Sequence, residues 1–215
     1  AAAAFARISE LNRILSDYSP ESEVMRLCQT AGTGTAVEVS PELFEMLSRS
    51  LALSEATDGA FDVTISPVIR LWRVARKQRQ LPDPNQLAAA RALVGWKNVK
   101  LNEKTRTVEL LRAGMQLDFG GIAKGYIAQE AREVVMKRGS NRCLISVAGD
   151  IAAGDPPPDR DGWRIGIAPL DKPDGQPSRY LSLKNCSVST SGDAFQFVEI
   201  NGVRYSHIVD AKTGL

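Results

Sequence analysis

A glycine-rich segment in the middle of the chain carries the residue types of a nucleotide-binding loop. In LDFGGIAKGYIAQEA, Asp118 closes an apolar run, Gly120 and Gly121 follow, and Lys124 stands where a helical pattern begins. Glycines allow backbone groups to approach a ligand closely, and a helix N-terminus with a nearby lysine favours phosphate. The spacing matches neither G-x-x-x-x-G-K-[ST] nor G-x-G-x-x-G. The residues predict a ligand loop, with a plain strand-to-helix turn as the alternative.

The single histidine of the chain, His207, lies in a second dense motif, SHIVDAKTG. Histidine exchanges protons near neutral pH, and Asp210, three residues later, is placed to orient the ring. His207 is therefore the candidate general base. The alternative is a structural histidine at the end of a hairpin.

Two shorter polar segments add candidate ligand contacts. In the segment 58–62, DGAFD, the Phe61 ring could stack on a flat ligand ring while Asp62 accepts a hydrogen bond from it. In the segment 190–193, TSGD, Ser191 is suited to phosphate or ribose through hydroxyl and amide donation. For both segments the alternative is a turn, with Phe61 as a core residue.

Composition excludes several function classes. A net charge of +2 over 215 residues gives no strong electrostatic case for nucleic acid or membrane binding, and no apolar run reaches the roughly 18–20 residues of a membrane span. Cys28, Cys143 and Cys186 are too widely spaced for a CxxC metal site and are predicted to be buried thiols. The basic run 73–79, RVARKQR, predicts a solvated helix end.

Periodicity and punctuation place these motifs on an α+β chain, with helices early and mostly antiparallel strands late. Predicted helices span about 3–17, 41–56, 67–72, 84–94 and 122–136, and Ser40-Pro41 and Asp83-Pro84 mark two helix starts. Predicted strands span 99–101, 107–111, 115–119, 143–147 and 163–167, then lie near 180–182 and 186–190 and end in a hairpin over 195–208 with a type I′ turn at Asn201-Gly202. We expect a single domain over residues 1–215, apparently truncated at both ends.

The order of five motifs over nearly the whole chain resembles the ApbE family of FAD:protein FMN transferases. These motifs are DGAFDVTISPVIRLW, LDFGGIAKGYIAQEA, SVAGDIAAG, STSGD and HIVDAKTG, and the early SDYSPESEVMRL is also similar to that family. The resemblance implies a T-fold-like architecture with N-terminal helices and a mostly antiparallel C-terminal sheet. It further implies FAD as substrate, magnesium as cofactor, and transfer of FMN to a threonine or serine hydroxyl of a target flavoprotein with release of AMP.

The resemblance also assigns site residues and a setting. His207 matches the base that acts on the acceptor hydroxyl, and Gly121 falls where a backbone carbonyl ligates magnesium. The acceptor would be a flavoprotein subunit of a membrane redox complex, and the location periplasmic or membrane-anchored through a lipid anchor outside this chain. Positions matching FAD contacts are Tyr18, Ala60, Phe61, Asp62, Asp118 and Lys124, to which the TSGD loop adds Ser191.

Three departures from the family pattern leave alternatives open. Ala211 follows Asp210 where the family has proline, and Cys28 stands where asparagine is usual. In relatives, the Asp and Thr that complete the magnesium site lie in a segment beyond the position of Leu215. The alternative functions are an FAD-binding protein without transferase activity and an FAD pyrophosphatase, in which water replaces the protein hydroxyl.

Overall fold

Five of the six helices lie in the first half of the chain and most of the short strands in the second, in a computed structural model that describes residues 1–169 and 174–215. The helices are α1 (Ala2–Leu15), α2 (Glu23–Cys28), α3 (Pro41–Ala56), α4 (Ser66–Gln78), α5 (Pro84–Ala92) and α6 (Ala123–Lys137), with a 3₁₀ turn at Trp96–Asn98. The strands are β1 (Val37–Glu38), β2 (Val99–Asn102), β3 (Thr107–Leu110), β4 (Leu144–Val147), β5 (Asp150–Ala153), β6 (Trp163–Ile167), β7 (Arg179–Leu183), β8 (Ser187–Val188), β9 (Phe197–Ile200) and β10 (Val203–Ser206). The predicted α+β class is confirmed.

Local sequence signals explain several element boundaries. The Ser40 hydroxyl accepts a hydrogen bond from the Leu43 amide, and Pro41 occupies the first turn of α3. The Asp83 carboxylate caps α5 in the same way, with Pro84 as its first residue. Helix α4 ends at Gln78, and its C-cap residue, Arg79, adopts the left-handed conformation with φ of 54°.

Every strand pairing in the described ranges is antiparallel, and the strands form small separate sheets. Their orders are β1-β3-β2, β4-β5-β8, β6-β7 and β9-β10. In the β9-β10 hairpin, Val203 pairs with Ile200 across Asn201-Gly202, whose φ angles are 52° and 77°. Positive φ at both central residues is the type I′ signature, so the predicted turn is confirmed.

Backbone contacts divide the chain into two compact units. One comprises residues 1–11 and 122–195, and the other comprises residues 12–121 and 196–215. In the first unit, α6 packs on β4 and β5, and Arg7 forms an ion pair with Glu130 at 2.6 Å. The prediction of one domain over residues 1–215 stays a prediction.

The second unit has a core between two helices and the last hairpin. Its buried members are Val68, Trp72 and Ala75 from α4, Ala90 from α5, and Val198 and Ile200 from β9. The Trp72 indole lies 5.3 Å from the Tyr205 ring and donates from Nε1 to the Gly214 carbonyl at 2.7 Å. The SHIVDAKTG motif is thereby anchored on α4.

Two expectations about this chain are wrong. Residues 115–119 were expected to form a strand, but they are irregular: Met115, Leu117 and Phe119 are buried by side-chain packing without a strand partner. The cysteines were expected to be buried, but Cys186 is exposed because it lies in the short connection between β7 and β8, whereas Cys28 and Cys143 are buried. In the described ranges, no helix is both long and apolar enough to cross a membrane.

Candidate functional site

The glycine loop is built against the DGAFD segment within one unit. The Asp118 amide donates to the Val63 carbonyl at 2.8 Å, which aligns the two backbones. A β-carbon added at Gly121 would lie 3.2 Å from Cε2 of the Phe61 ring. A side chain at position 121 would therefore have to displace the Phe61 ring by a few tenths of an ångström, and two motifs far apart in sequence form one surface.

Gly120 has a different structural reason. Its amide donates to Oδ1 of Asp118 at 2.7 Å, and an added β-carbon would lie 2.9 Å from that same oxygen. The two glycines thus have packing reasons within the protein itself. The positions of Gly120 and Gly121 are therefore compatible with both the predicted ligand loop and the alternative of a plain turn.

Asp118 lies in a buried cluster of opposite charges. Its Oδ2 accepts from Arg73 at 3.1 Å, and Arg73 also contacts Asp17 at 2.6 Å. Burial raises the pKa of the Asp118 carboxyl, and the charge of Asp17 raises it further, while the Gly120 amide, Arg73 and Arg70 act in the opposite direction. The carboxyl is positioned as a fixed hydrogen-bond acceptor beside the glycine loop.

Arg73 and Asp17 were missed by sequence reasoning. Arg73 was assigned to a solvated basic helix end, and that prediction is wrong for this residue because its side chain is only 22% exposed and pairs with two acids. The available signal was position: Arg73 follows the core residue Trp72 and begins the basic run. Asp17 directly precedes Tyr18, whose ring has the Arg73 guanidinium 4.3 Å from its centroid.

Asp62 is already engaged by donors of the protein. One oxygen accepts from the Thr64 amide at 2.8 Å and from its hydroxyl at 2.6 Å, and the other accepts from the Trp96 amide at 3.0 Å. Asp62 therefore ties the DGAFD segment to the 3₁₀ turn. Ala60 is exposed beside it, and ligand contacts of both residues stay predictions.

A cavity of about 660 Å³ opens next to this segment. Asp62 and the Trp96 indole line it, and Lys212 of the DAKTG segment borders it and pairs with Asp58 at 2.8 Å. Its basic lining residues are Arg91, Lys97, Arg112 and Lys212. These charges favour an anionic ligand.

His207 is held in one orientation by the backbone. Its amide donates to the Gln196 carbonyl at 3.0 Å, and its Nδ1 lies 3.1 Å from the same oxygen. Because a carbonyl oxygen can only accept, this contact places the proton on Nδ1 and leaves Nε2 free to take one. The half-buried ring therefore has the tautomer that a general base needs.

The expected role of Asp210 in orienting the histidine is wrong. Its Oδ1 accepts from the amides of Lys212 at 2.6 Å and Thr213 at 2.9 Å, and these bonds lower the pKa of its carboxyl. Asp210 thus shapes the turn that follows the motif. Gln196 orients the ring instead, and a backbone partner carries no signal in side-chain spacing.

Lys124 and Ser191 belong to the first unit, residues 1–11 and 122–195. Lys124 is in the first turn of α6, and its Nζ lies 3.5 Å from Oδ2 of buried Asp150. The helix has Ile122 at its N-cap and no side-chain cap, so its first amides are available to an anion. Ser191 is exposed in an irregular segment after β8.

The buried thiol of Cys28 accepts from the Leu117 amide at 3.4 Å. Burial raises the pKa of this thiol, so it is protonated at neutral pH. Cys28 therefore supports the backbone that leads into Asp118.

Comparison with known proteins gives the identity of this architecture. The model of the ApbE family matches residues 1–215. This chain belongs to the ApbE family. It is 33% identical to an FAD:protein FMN transferase of Klebsiella pneumoniae, covering 98% of this chain and 64% of the relative. It is 31% identical to that of Treponema pallidum, covering 98% and 61%.

Solved ApbE structures share the fold. The ApbE protein of Thermotoga maritima superposes with a TM-score of 0.88 at 29% identity, covering 99% of this chain and 68% of that one. The flavinyl transferase ApbE of Pseudomonas stutzeri, in its apo form, gives 0.83 at 30% identity, covering 99% and 66%. The chain thus spans about six tenths of the length of the two curated relatives, and the predicted ApbE architecture is confirmed.

The described residues alone do not fit a magnesium site. Residues 1–169 and 174–215 contain no group of three or more His, Cys, Asp or Glu side chains that could hold a metal. The predicted ligand, the Gly121 carbonyl, supplies one oxygen, whereas Mg²⁺ prefers an octahedral set that usually includes carboxylates. The nearest acid in sequence, Asp118, is engaged by Arg73 and Gly120.

Proposed function

We propose that this chain is the FAD-binding and base-bearing part of an FAD:protein FMN transferase. The observation that carries the proposal is the Nδ1 contact of His207 with the Gln196 carbonyl, which leaves Nε2 free as a base. Membership of the ApbE family and relatives named as FAD:protein FMN transferases support FAD as the substrate.

The proposed reaction is a phosphoryl-type substitution on FAD. A threonine or serine hydroxyl of the acceptor attacks the phosphorus on the FMN side of the pyrophosphate. The new O–P bond joins FMN to the protein as a phosphoester, and the bond to the AMP phosphate breaks. His207 Nε2 takes the hydroxyl proton, because a neutral hydroxyl is a poor nucleophile at neutral pH. AMP leaves with the bonding electron pair.

The other residues would position the substrate, which is the main task in this class of reaction. Phe61 and Tyr18 offer aromatic surfaces to a flavin ring. Asp118 offers a fixed carboxyl oxygen, and the segment that holds Ala60 and Asp62 is joined to it through the Asp118 amide bond to the Val63 carbonyl. Lys124, Ser191 and the open N-terminus of α6 offer donors to phosphate.

The cofactor, acceptor and location belong to the same proposal. Magnesium would neutralise the pyrophosphate charge when bound, and the Gly121 carbonyl is the one ligand that the motif resemblance assigns to it in this chain. The acceptor would be a flavoprotein subunit of a membrane redox complex, with the protein periplasmic or membrane-anchored. These assignments are supported by the motif resemblance.

A gel assay tests the proposal. The chain is mixed with FAD, magnesium and an acceptor protein carrying a modifiable threonine, and covalent flavin is read as in-gel fluorescence while AMP is quantified. We expect fluorescence on the acceptor, with one AMP released per flavin attached. Loss of that fluorescence in a Thr→Val acceptor would identify the threonine hydroxyl oxygen as the attachment atom. Free FMN with AMP would instead show a pyrophosphatase, and FAD binding without AMP would overturn transfer by this chain.

FAD binding without turnover is the second candidate function. The observation that favours it is the single predicted magnesium ligand, Gly121, in the described ranges. Titration of FAD with and without EDTA distinguishes the two: affinity independent of magnesium, without AMP release, supports a flavin-binding role.

A further inference from the structure

One guanidinium on α4 contacts three side chains from two other parts of the chain. Arg73 Nη1 lies 2.6 Å from Oδ2 of Asp17, and Nη2 lies 3.1 Å from Oδ2 of Asp118. Its central carbon lies 4.3 Å from the centroid of the Tyr18 ring. Arg73 thus connects the end of the α1 region with the glycine loop.

The geometry of these contacts requires arginine. The two carboxylates are each only 9% exposed, so an uncompensated charge there would be costly. A planar guanidinium can pair with two acids at its edge and place its face on an aromatic ring, whereas an ammonium group is a point charge without a flat face. Lysine at position 73 would keep the charge and lose the shape.

Tyr18 is an unusual partner for such a buried cluster. Its side chain is held by Arg73, yet the residue is 76% exposed. One ring face is covered by the guanidinium, which leaves the other face available to a flat ligand ring. The same cation fixes Asp118, the predicted polar contact. Two predicted FAD contacts therefore share one anchor.

We propose that Arg73 is a positioning residue that fixes the Tyr18 ring and the Asp118 carboxylate at one spacing before FAD binds. The inference rests on the proposed function, because it takes FAD as the ligand. Fixing both groups in advance reduces the entropy lost on binding. Arg73 acts through Tyr18 and Asp118 and needs no contact of its own with FAD.

FAD affinity in a double-mutant cycle tests this role. The variants are Arg73→Lys, Tyr18→Ala and the double variant, and Arg76→Lys is the matched control one turn further along α4. Each is titrated with FAD and followed by flavin fluorescence, and thermal unfolding is measured in parallel. Arg73→Lys is expected to raise the Kd for FAD about tenfold, or about 1.4 kcal/mol, with Arg76→Lys unchanged.

The cycle separates positioning from general stability. In the Tyr18→Ala background, Arg73→Lys is expected to raise the Kd by only about threefold, because only the Asp118 contact is then left to disturb. Equal effects in both backgrounds, or an unchanged Kd in Arg73→Lys, overturn the positioning role while FAD binding itself stands. If the unaltered chain does not bind FAD, the proposed function and this inference both fail.

A second variant covers the case in which Arg73→Lys does not fold. Asp17→Asn keeps Arg73 but removes the charge that anchors its Nη1. We expect Asp17→Asn to raise the Kd for FAD about threefold. Asp17→Glu keeps a carboxylate at this position and should bind FAD with the Kd of the unaltered chain. An unchanged Kd in Asp17→Asn would contradict the inference.

Discussion

Two sides of helix α4 hold candidate site residues in different ways. On the acidic side, defined by Asp17, Arg73 and Asp118, side chains hold one another through buried ion pairs. On the histidine side, the SHIVDAKTG segment is held by backbone bonds to His207 and by the Trp72 indole bond to Gly214. Trp72 and Arg73 are successive residues, about 100° apart around the helix, so one helix supports both sides.

Because the two sides are held by different kinds of bond, they should respond differently to substitution. Side-chain ion pairs depend on which residues are present, so the acidic side is sensitive to single substitutions and to pH. Backbone bonds depend on the hairpin register, so the histidine side tolerates most side-chain changes. The exceptions are Trp72, whose indole bonds Gly214, and Asp210, whose carboxylate accepts from the Lys212 and Thr213 amides. Four predictions test this contrast.

Replacing the candidate base should have the largest effect. His207→Ala is expected to lower FMN transfer by about 10²–10⁴-fold, the usual contribution of a general base. The Kd for FAD should be unchanged, since the backbone bonds of the hairpin remain. Single-turnover AMP release measures the step, and Ile208→Ala, an exposed neighbour, is the control. Full transfer activity in His207→Ala would remove His207 from the reaction.

Removing the cation of the acidic side should have the next largest effect. Arg73→Met is expected to lower the free energy of unfolding by about 3 kcal/mol, because two nearly buried carboxylates lose their partner. Urea unfolding followed by circular dichroism measures the change. Lys77→Met, an exposed change on the same helix, should stay within about 0.5 kcal/mol. Equal losses in the two variants would show that the ion pairs contribute no specific stability.

The anchor of the histidine side should show a smaller loss. Trp72→Phe removes the indole donor and leaves the buried Gly214 carbonyl without it, which should lower the free energy of unfolding by about 2 kcal/mol. Trp163→Phe is the matched change, since Trp163 donates to the Asp155 carbonyl at a less buried position. We expect a loss of about 1 kcal/mol or less there. A larger loss for Trp163→Phe would contradict the anchoring role of Trp72.

The pH dependence of stability should have opposite signs on the two sides. The pKa of Asp118 is raised above its ordinary value of 3.8 by burial and by Asp17, so the folded state binds this proton more tightly than the unfolded state. The stability of the unaltered protein relative to Asp118→Asn should therefore fall as pH rises from about 4. Urea unfolding at a series of pH values gives this difference.

Asp210→Asn is the control of opposite sign. The amides of Thr213 and Lys212 lower the pKa of Asp210, so its contribution is present above pH 3.8 and lost as pH falls through the lowered value. The stability of the unaltered protein relative to Asp210→Asn should therefore rise with pH in this range. Slopes of the same sign for the two variants would contradict the contrast between the sides.

Sequence reasoning predicted the parts of the site that depend on local pattern. The I′ turn at Asn201-Gly202, the starts of α3 and α5, and the α+β class follow from turn residues, caps and periodicity, and the structure confirms them. The expected strand over 115–119 fails because an apolar run is equally compatible with an irregular buried segment. A strand needs a partner, and the partner is set elsewhere in the chain.

The order of residues along the chain fixes which chemical groups are available: one histidine, a glycine loop after an acid, and motifs whose order matches a family. Which of these groups come into contact depends on how the helices and hairpins pack. The Arg73–Asp118 bond spans 45 residues and the Trp72–Gly214 bond spans 142, and the acceptor for His207 is a backbone carbonyl. Local sequence pattern predicts neither long-range side-chain pairs nor hydrogen bonds to backbone partners, because both form only when helices and hairpins pack together.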